Sequence, residues 1–449
     1  MPARPRRRAV AALAATASIA LFASACTGQA GNGATDDPNA KTTITFWHGW
    51  SAESEVKAIN DNIKRFEQAH PNIRVNVVGN INDDKLNQAL RTGGSKGPDV
   101  VSSFTTSNVG KFCSSGAFAD LKPFIEKSKL DLGKIIPKTL LDYTQFEGRR
   151  CAMPLLTDAY GLYYNKDAFR AAGLDPAKPP KTYSELLAYA KKLTKAKGDG
   201  YERLGFMPNY HGYETTTEHY LGSWGPSYFD PSTGRSTIAS DPAVAEMMTT
   251  QKKMVDELGG YAKLEKYRTT FGDEWGAKHP FHTGQVAMQL DGEWRLGMAT
   301  DAKVPFDIGV APMPVPDDRA AEYGKGFLSG TIMGIAPQSK KQNAAWELVR
   351  FMTTDTEAVV AFANGIRNVP STFDALKSPN LKLDPRFTTF LDIARHPKSN
   401  TPAGAVNGAA HLNTLQDFAL QYEKGEVSDL KAGLEKTARQ IDTDIAKAK

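Results

Sequence analysis

Residues 42–103 carry an alternation of elements that few folds can satisfy. Thr42-Thr-Ile-Thr-Phe-Trp47 alternates polar and apolar residues, the period of a half-buried strand. Ser54–His70 then places Val56, Ile59, Ile63 and Phe66 on one helical face. Ile73–Val78 reads as a second strand, Asp83–Thr92 as a helix and Gly97–Ser103 as a third strand. The order β-α-β-α-β predicts a mostly parallel sheet covered by helices, because parallel neighbours need a crossover long enough to hold a helix. Ligands of such sheets gather at the carboxyl ends of the strands, which puts Trp47-His48 and Ser102-Ser103 at or near the expected site. Further strands are expected at 159–164, before and through Leu290, at 307–314 and at 330–335. Helices are expected over Ser184–Lys197, over Asn343–Thr354 and toward the C-terminus. No repeat of solenoid length is present.

The N-terminus follows a different logic. Met1-Pro-Ala-Arg-Pro-Arg-Arg-Arg8 is basic, and Ala9–Ala25 holds no charged residue. That apolar run is too short and too Ala-rich to span a bilayer well. Its end, Leu21-Phe-Ala-Ser-Ala-Cys26, resembles a bacterial lipoprotein signal, with Ala23 where such signals usually carry Leu. The resemblance implies a signal peptide of residues 1–25, a diacylglycerol on the Cys26 sulfur, and a mature chain held at the extracellular face of the bacterial cell membrane. The competing reading is an ordinary secretory cut near Ala25, which leaves Cys26 as a spare thiol, a state disfavoured outside the cell. Arg7-Arg8 also fits a twin-arginine export signal, but Ala9-Val10-Ala11 fits that pattern poorly. Residues 26–41, rich in Gly, Ala, Thr, Asp and Asn, read as a flexible tether.

A chain of 449 residues predicts two domain-sized units. The formal charge of +5 is mostly the signal's: without its four Arg, 51 basic residues face 50 acidic ones. No basic stripe remains to bind nucleic acid. Cys113 and Cys151 form an even pair in an oxidising compartment, which reads as a disulfide worth roughly 3–4 kcal/mol. No CxxC spacing suggests a metal, and no P-loop or Gly-x-Gly-x-x-Gly fingerprint calls for a nucleotide cofactor.

A set of signposts then arrives in order: Thr45-Phe-Trp-His-Gly49, Pro98-Asp-Val-Val101, Tyr163-Tyr-Asn-Lys-Asp167, Thr182-Tyr-Ser-Glu-Leu186, Phe281–Met288 with Asp291-Gly-Glu-Trp294, Ala311-Pro-Met-Pro314 and Ser339–Leu348. From Thr42 onward the chain resembles the extracellular solute-binding proteins of ABC importers, of the carbohydrate-binding group that includes the maltose-binding protein. The resemblance implies an α/β, two-lobed, type II periplasmic-binding-protein-like fold, with several chain crossings forming a hinge and a solute in the cleft. Carried over, the crossings fall near Met153–Asp158, Val310–Pro314 and Thr354–Val359. Lobe one is then 42–153 plus 314–355, and lobe two 158–308 plus 358–449. Both Cys113 and Cys151 fall in lobe one. The implied partners are a carbohydrate ligand and the permease subunits, with the ATPase on another chain. The implied protein is a monomeric receptor and not an enzyme.

A sugar presents apolar C–H faces and a ring of hydroxyls, so its site needs aromatic platforms beside carboxylates, amides and hydroxyls. Trp294, directly after a strand, is where the family places a stacking aromatic. Trp47 and His48 end the first strand. Trp224 lies in the Gly/Ser/Tyr-rich segment His211–Gly225, which suits a ligand loop, and Trp275 sits beside Asp273 and Glu274. Trp346 lies on the apolar side of a helix and reads as core. Asp158 falls at the first crossing, where related proteins hold sugar hydroxyls with an acid. Asp291 and Glu293 flank Trp294. Ser103, Thr105 and Thr106 either cap a helix or donate to ligand. Ser329-Gly330, Arg367-Asn368, Asn407 and His411 complete the candidates. Rival readings are a secreted glycosidase using two acids beside a Trp, a binder of glycerol phosphodiesters or peptides, which for phosphate needs a cation such as Arg367, and a sensory co-receptor.

Overall fold

The computed structural model describes residues 41–51, 53–92, 97–208 and 214–449. The signal segment 1–25, Cys26 and the tether up to residue 40 lie outside the described residues, as do His211–Tyr213 of the expected ligand loop.

Among the described residues, ten strands make one mixed sheet: β1 (Thr42–Trp47), β2 (Ile73–Val78), β3 (Val100–Ser103), β4 (Met153–Asn165), β5 (Lys195–Lys197), β6 (Gly200–Phe206), β7 (Val286–Gly292), β8 (Ile308–Pro312), β9 (Leu328–Ile335) and β10 (Val369–Pro370). Their order is β2-β1-β3-β9-β4-β7-β6-β5, with β8 and β10 also pairing β4. β1 runs parallel to both β2 and β3, as the β-α-β-α-β order requires. β9 returns antiparallel to β3 and β4.

β4 organises the sheet. Its first half pairs with β9 and β10 through Met153–Ala159, and its second half with β7 and β8 through Tyr160–Asn165. Flanked on both edges, the strand is apolar almost throughout, as a strand without a solvent face must be. Two cores meet along it. One gathers Phe46, Ile59, Phe66, Val100, Leu155, Ile332 and Leu348. The other gathers Leu162, Phe169, Leu186, Phe206, Met247, Met288, Leu415 and Ile441.

The helices that matter below are α1 (Glu53–Ala69), α2 (Asp83–Thr92), α3 (Val109–Ser114), α4 (Thr217–Trp224), α5 (Trp294–Asp301), α6 (Gln342–Thr354), α7 (Thr356–Ile366) and α8 (Ala410–Lys424). α1 buries Ile59, Ile63 and Phe66 on the face its sequence marks, and packs on α7. On α6, Trp346 is buried and donates to Ser128 Oγ at 2.8 Å, so it is core, as its position on the helix indicates. Cys113 of α3 is bonded to Cys151, two residues ahead of β4, which ties that helix to the root of the central strand. Among the described residues, no helix is long and apolar enough to cross a membrane.

Two expectations change. The helix read over Ser184–Lys197 ends at Leu193, because Gly198 (φ +54°) turns the chain and Lys195–Lys197 pairs with β6 as a hairpin. Residues 217–224, read as part of a loop, form α4, which Gly225 terminates at φ +73°.

Gly110 of α3 lies against the chain just before α8. A Cβ there would sit 2.3 Å from the Ala405 carbonyl oxygen and 2.8 Å from its nitrogen. Backbone cannot yield as a side chain does. Gly110→Ala is therefore expected to destabilise the fold by about 1–3 kcal/mol. Gly133→Ala, whose Cβ would meet nothing nearer than 3.6 Å, serves as the control. Urea denaturation of both variants measures the difference.

Candidate functional site

The polar chemistry of β4 concentrates where its pairing partners change. Asp158 and Tyr160 are two residues apart and so point to the same side of the strand. Asn368, just before β10, donates to Asp158 Oδ1 at 3.1 Å. Across the ladder Asp158 faces Ser329, whose Oγ lies 3.3 Å from Thr106 Oγ1. Burial pushes the Asp158 carboxyl up to about 6, against the pull of the Asn368 hydrogen bond. Gly330 follows Ser329, and a Cβ there would lie 2.2 Å from the Leu156 carbonyl oxygen, so only glycine lets β9 lie this close to β4.

Tyr160 is the hub of an aromatic group. Its ring stacks on His219 of α4 at 4.4 Å and meets Trp294 edge-on at 5.4 Å and Phe327 at 5.2 Å. Trp294 opens α5 directly after β7, and its ring folds back over Gly292, where a Cβ would come within 2.3 Å of it. Its Nε1 is buried with no partner among the described residues. Trp275 lies 6.2 Å from Trp294 and is 57 % exposed.

Carboxyls surround these rings. Asp291 takes the Arg295 guanidinium at 2.7 Å, both fully buried, and accepts from Gln289 as well. Arg295 also donates to the Glu274 carbonyl at 3.0 Å. Glu293 Oε2 accepts from the Ala159 amide at 2.9 Å, which pins the head of α5 to β4. Glu214 Oε2 sits 3.2 Å from His219 Nε2, and the Glu214 side chain is hydrogen-bonded to that of Glu274. Burial, with the charge of Asp291, holds Glu214 well above the usual carboxyl range, and the same two causes raise Glu274. Glu293 is held well up by burial and the nearby Asp158. Burial raises Asp291 too, against the pull of Arg295. Burial also lowers His219 to about 3. Burial thus disfavours the charged form on both sides of the Glu214–His219 contact.

The site thus brings together Thr106, Asp158, Ser329, Gly330 and Trp294, with Trp275 beside them and Asp291 and Glu293 engaged underneath. Other candidates lie elsewhere. Trp47 is half-buried against the first core. His48 is packed between Phe46 and Trp50, 5.6 and 5.8 Å away, and burial lowers it to about 4. Ser103 donates to Asp83 Oδ2 at 2.9 Å and accepts from the Thr105 amide. Neither Thr105 nor Asn108 caps the helices they precede. Trp224 is 5 % exposed, stacked on Tyr183 at 5.2 Å under the Arg319 guanidinium. Arg367 is held by Asp301 through both Nη atoms, at 3.1 and 2.6 Å, so its neighbour Asn368 is the one that reaches Asp158. His411 is buried with Nδ1 2.9 Å from the Gly408 carbonyl, and the Asn407 amide has no partner among the described residues.

The site residues Tyr160, His219, Glu214, Glu274, Arg295 and Phe327 escaped the sequence reading. Tyr160 was available as the strand neighbour of Asp158. The meeting of Glu214 with Glu274 has no local signature. A cavity of 890 Å³ between Pro137–Gly148 and Ala394–Gly404 is lined by none of the Tyr160 group.

The family model for bacterial extracellular solute-binding proteins matches residues 50–359. The sn-glycerol-3-phosphate-binding periplasmic protein of Brucella abortus is 27 % identical over 280 residues, covering 61 % of this chain, which thus spans 62 % of that relative's length. The maltotriose-binding protein of Pyrococcus abyssi is 22 % identical over 376 residues, covering 82 % of this chain and 76 % of its own. Among solved structures, CpMnBP1 with mannotriose bound aligns with a TM-score of 0.77 at 22 % identity, covering 89 % of this chain and 100 % of that one. It has the same two-lobed α/β fold. With the family model matching more than half of its length, the chain belongs to the bacterial extracellular solute-binding proteins.

Proposed function

We propose that the protein is the lipid-anchored receptor of an ABC importer, a monomer that captures a di- or oligosaccharide in its cleft and delivers it to membrane permease subunits. The observation that carries the sugar reading is the Tyr160 group. Trp294 and Trp275 offer apolar faces, and Asp158, Asn368, Ser329, Thr106 and the Glu214–Glu274 pair offer donors and acceptors around them. The names of two relatives, one binding maltotriose and one holding mannotriose, point the same way. Import then works by closure. A ligand that touches both lobes stabilises the closed state by its differential affinity, and the permease reads the closed form. β4, shared by both halves of the sheet, is the natural place for the motion to pivot.

The glycerol-3-phosphate-binding relative favours a second reading, a phosphate ester. The charge of the site argues against it. Asp158, Glu214, Glu274, Asp291 and Glu293 share the region with Arg295, which is committed to Asp291, and Arg367 is committed to Asp301. A phosphate needs Arg or Lys donors that are not already paired. We also read the protein as a binder rather than a glycosidase. Asp291 and Glu293 are fully buried and engaged by Arg295 and Ala159, whereas glycoside cleavage needs two carboxyls flanking a bound sugar.

Three measurements test this reading. In a thermal-shift series with maltose, maltotriose, mannobiose, mannotriose, glycerol 3-phosphate and peptides, a saccharide is expected to stabilise the mature protein by ~2.7 kcal/mol at a hundredfold excess over its Kd. The shift should vanish in Trp294→Ala. A shift with glycerol 3-phosphate alone would overturn the sugar reading. The second measurement is calorimetry against pH. Asp158 titrates at about 6, and its carboxylate is the better acceptor of hydroxyls. Affinity should therefore weaken as pH falls through 6, and weaken less over that range in Asp158→Asn. Finally, Cys26→Ala should move the protein from the membrane fraction to the medium.

A further inference from the structure

Residues 191–203 and 252–268 hold ten Lys or Arg against five Asp or Glu, in a mature chain of 51 basic and 50 acidic residues. The remainder of the mature chain thus has an excess of acid, and the basic surplus is gathered in these two segments. The fold joins them into one surface. Lys195–Lys197 is β5, the strand at the end of the sheet order, and it pairs with β6. The Tyr201 hydroxyl of β6 donates to the Leu258 carbonyl, and the Tyr267 hydroxyl to the Gln285 carbonyl at 2.9 Å, one residue ahead of β7. Lys191 pairs with Glu257, and Lys263 Nζ lies 4.5 Å from the centre of the Tyr201 ring. Three of the five acids, Asp256, Glu257 and Glu265, are taken up by Lys252, Lys191 and Arg268. Lys192, Lys195, Lys197 and Lys266 are exposed and have no ion pair among the described residues.

Lysines on a sheet edge deter pairing with another chain. That accounts for Lys195 and Lys197 but not for Lys192 and Lys266, which lie on the helices Tyr183–Leu193 and Tyr261–Arg268. The type of cation narrows the partner. Eight of the ten are Lys, and the two Arg are bonded within the fold, Arg203 to the Leu193 carbonyl and Arg268 to Glu265. Protein interfaces favour Arg and are depleted of Lys, because a guanidinium fork fixes geometry and an ammonium on a flexible stem does not. We propose that this basic edge is a docking surface for anionic lipid headgroups, which lays the β5 end of the sheet against the membrane. The lipid-anchored reading above supplies the proximity. β1, where the tether joins the fold, is six strand spacings from β5, about 30 Å. Residues 26–41 span at most ~55 Å when extended, so anchor and patch can meet the bilayer together. β4, which carries the site, is three spacings from β5, so the contact uses none of the site's residues. Four unpaired Lys give a weak and reversible hold, which lets the protein leave the surface to meet another partner.

The test is cosedimentation of the full mature chain carrying Cys26→Ala with two kinds of vesicle, phosphatidylcholine alone and equal parts phosphatidylcholine and phosphatidylglycerol. No acyl chain contributes, so the outcome is independent of lipidation. The chain should bind the phosphatidylglycerol vesicles roughly tenfold better or more at low ionic strength, and the difference should shrink as salt is raised. With Lys192→Glu, Lys195→Glu, Lys197→Glu and Lys266→Glu combined, binding should fall to the phosphatidylcholine level. The four corresponding alanine substitutions should give a smaller loss in the same direction. A control of equal net charge, with Lys85→Glu, Lys340→Glu, Lys377→Glu and Lys382→Glu combined, should keep most of the binding. Melting temperatures close to wild type would show that the variants are folded. Equal binding to both vesicles, or equal loss in patch and control variants, would overturn the lipid assignment and leave the receptor reading in place. Binding to polyglutamate but not to phosphatidylglycerol vesicles would overturn it in favour of an acidic protein partner.

Discussion

Everything in the site depends on one strand having two sets of neighbours. β4 is 13 residues long, and its hydrogen-bond ladders change partners near Asp158–Tyr160, from β9 and β10 to β7 and β8. Each backbone group on a buried strand must find a partner, so the switch cannot be sloppy: the new strands must begin where the old ones stop. β7 ends at Gly292 opposite Tyr160, and the chain turns there into α5, which puts Trp294 over the strand. β10 pairs at Leu156 and Thr157, so Asn368, the residue before it, is delivered to Asp158. β9 brings Ser329 opposite Asp158. Three separate segments thus reach one point because they all add to the same strand.

The electrostatics follow from that convergence. Five carboxyls in a region largely closed to water cannot all ionise against one guanidinium, since burial opposes each charge. The structure resolves this in two ways. Asp291 keeps Arg295 as a fully buried pair, the arrangement in which losing either partner strands the other. Burial also raises all five, Glu214 and Glu293 most strongly. Burial is the first cause for both, and for Glu293 the Ala159 amide hydrogen bond pulls the other way. Carboxyls and an imidazole whose charged forms burial disfavours suit the hydroxyls of an uncharged ligand.

The sequence read some of this well. The first three strands and two helices were legible because apolar period and crossover length are local properties, and β1, β2 and β3 pair as that pattern requires. The place of Trp294 just past a strand end was legible, because the apolar run before it marks the strand. Trp224 and His48 were not, since each also sits near a strand or loop end and only packing distinguishes them: Trp224 is stacked on Tyr183, and His48 lies between Phe46 and Trp50. The Glu214–Glu274 contact joins residues sixty positions apart through tertiary structure alone. The last third of the chain shows the same limit. Phe362 and Phe390 join the first core while Leu415 and Ile441 join the second, and nothing in their helical spacing says which.

Glycine links the packing to the chemistry. Gly292 lets the Trp294 ring fold back on its own strand end, Gly330 lets β9 approach β4 beside Asp158, and Gly110 lets α3 touch the chain ahead of α8. Each contact leaves no room for a Cβ. The first two hold site residues in place before any ligand arrives, as does the Arg295 grip on the Trp275 loop. A site assembled this way spends little of its binding energy on ordering its own side chains. More of the ligand's contact energy is then left to favour the state that touches both halves, which is the differential that closure requires.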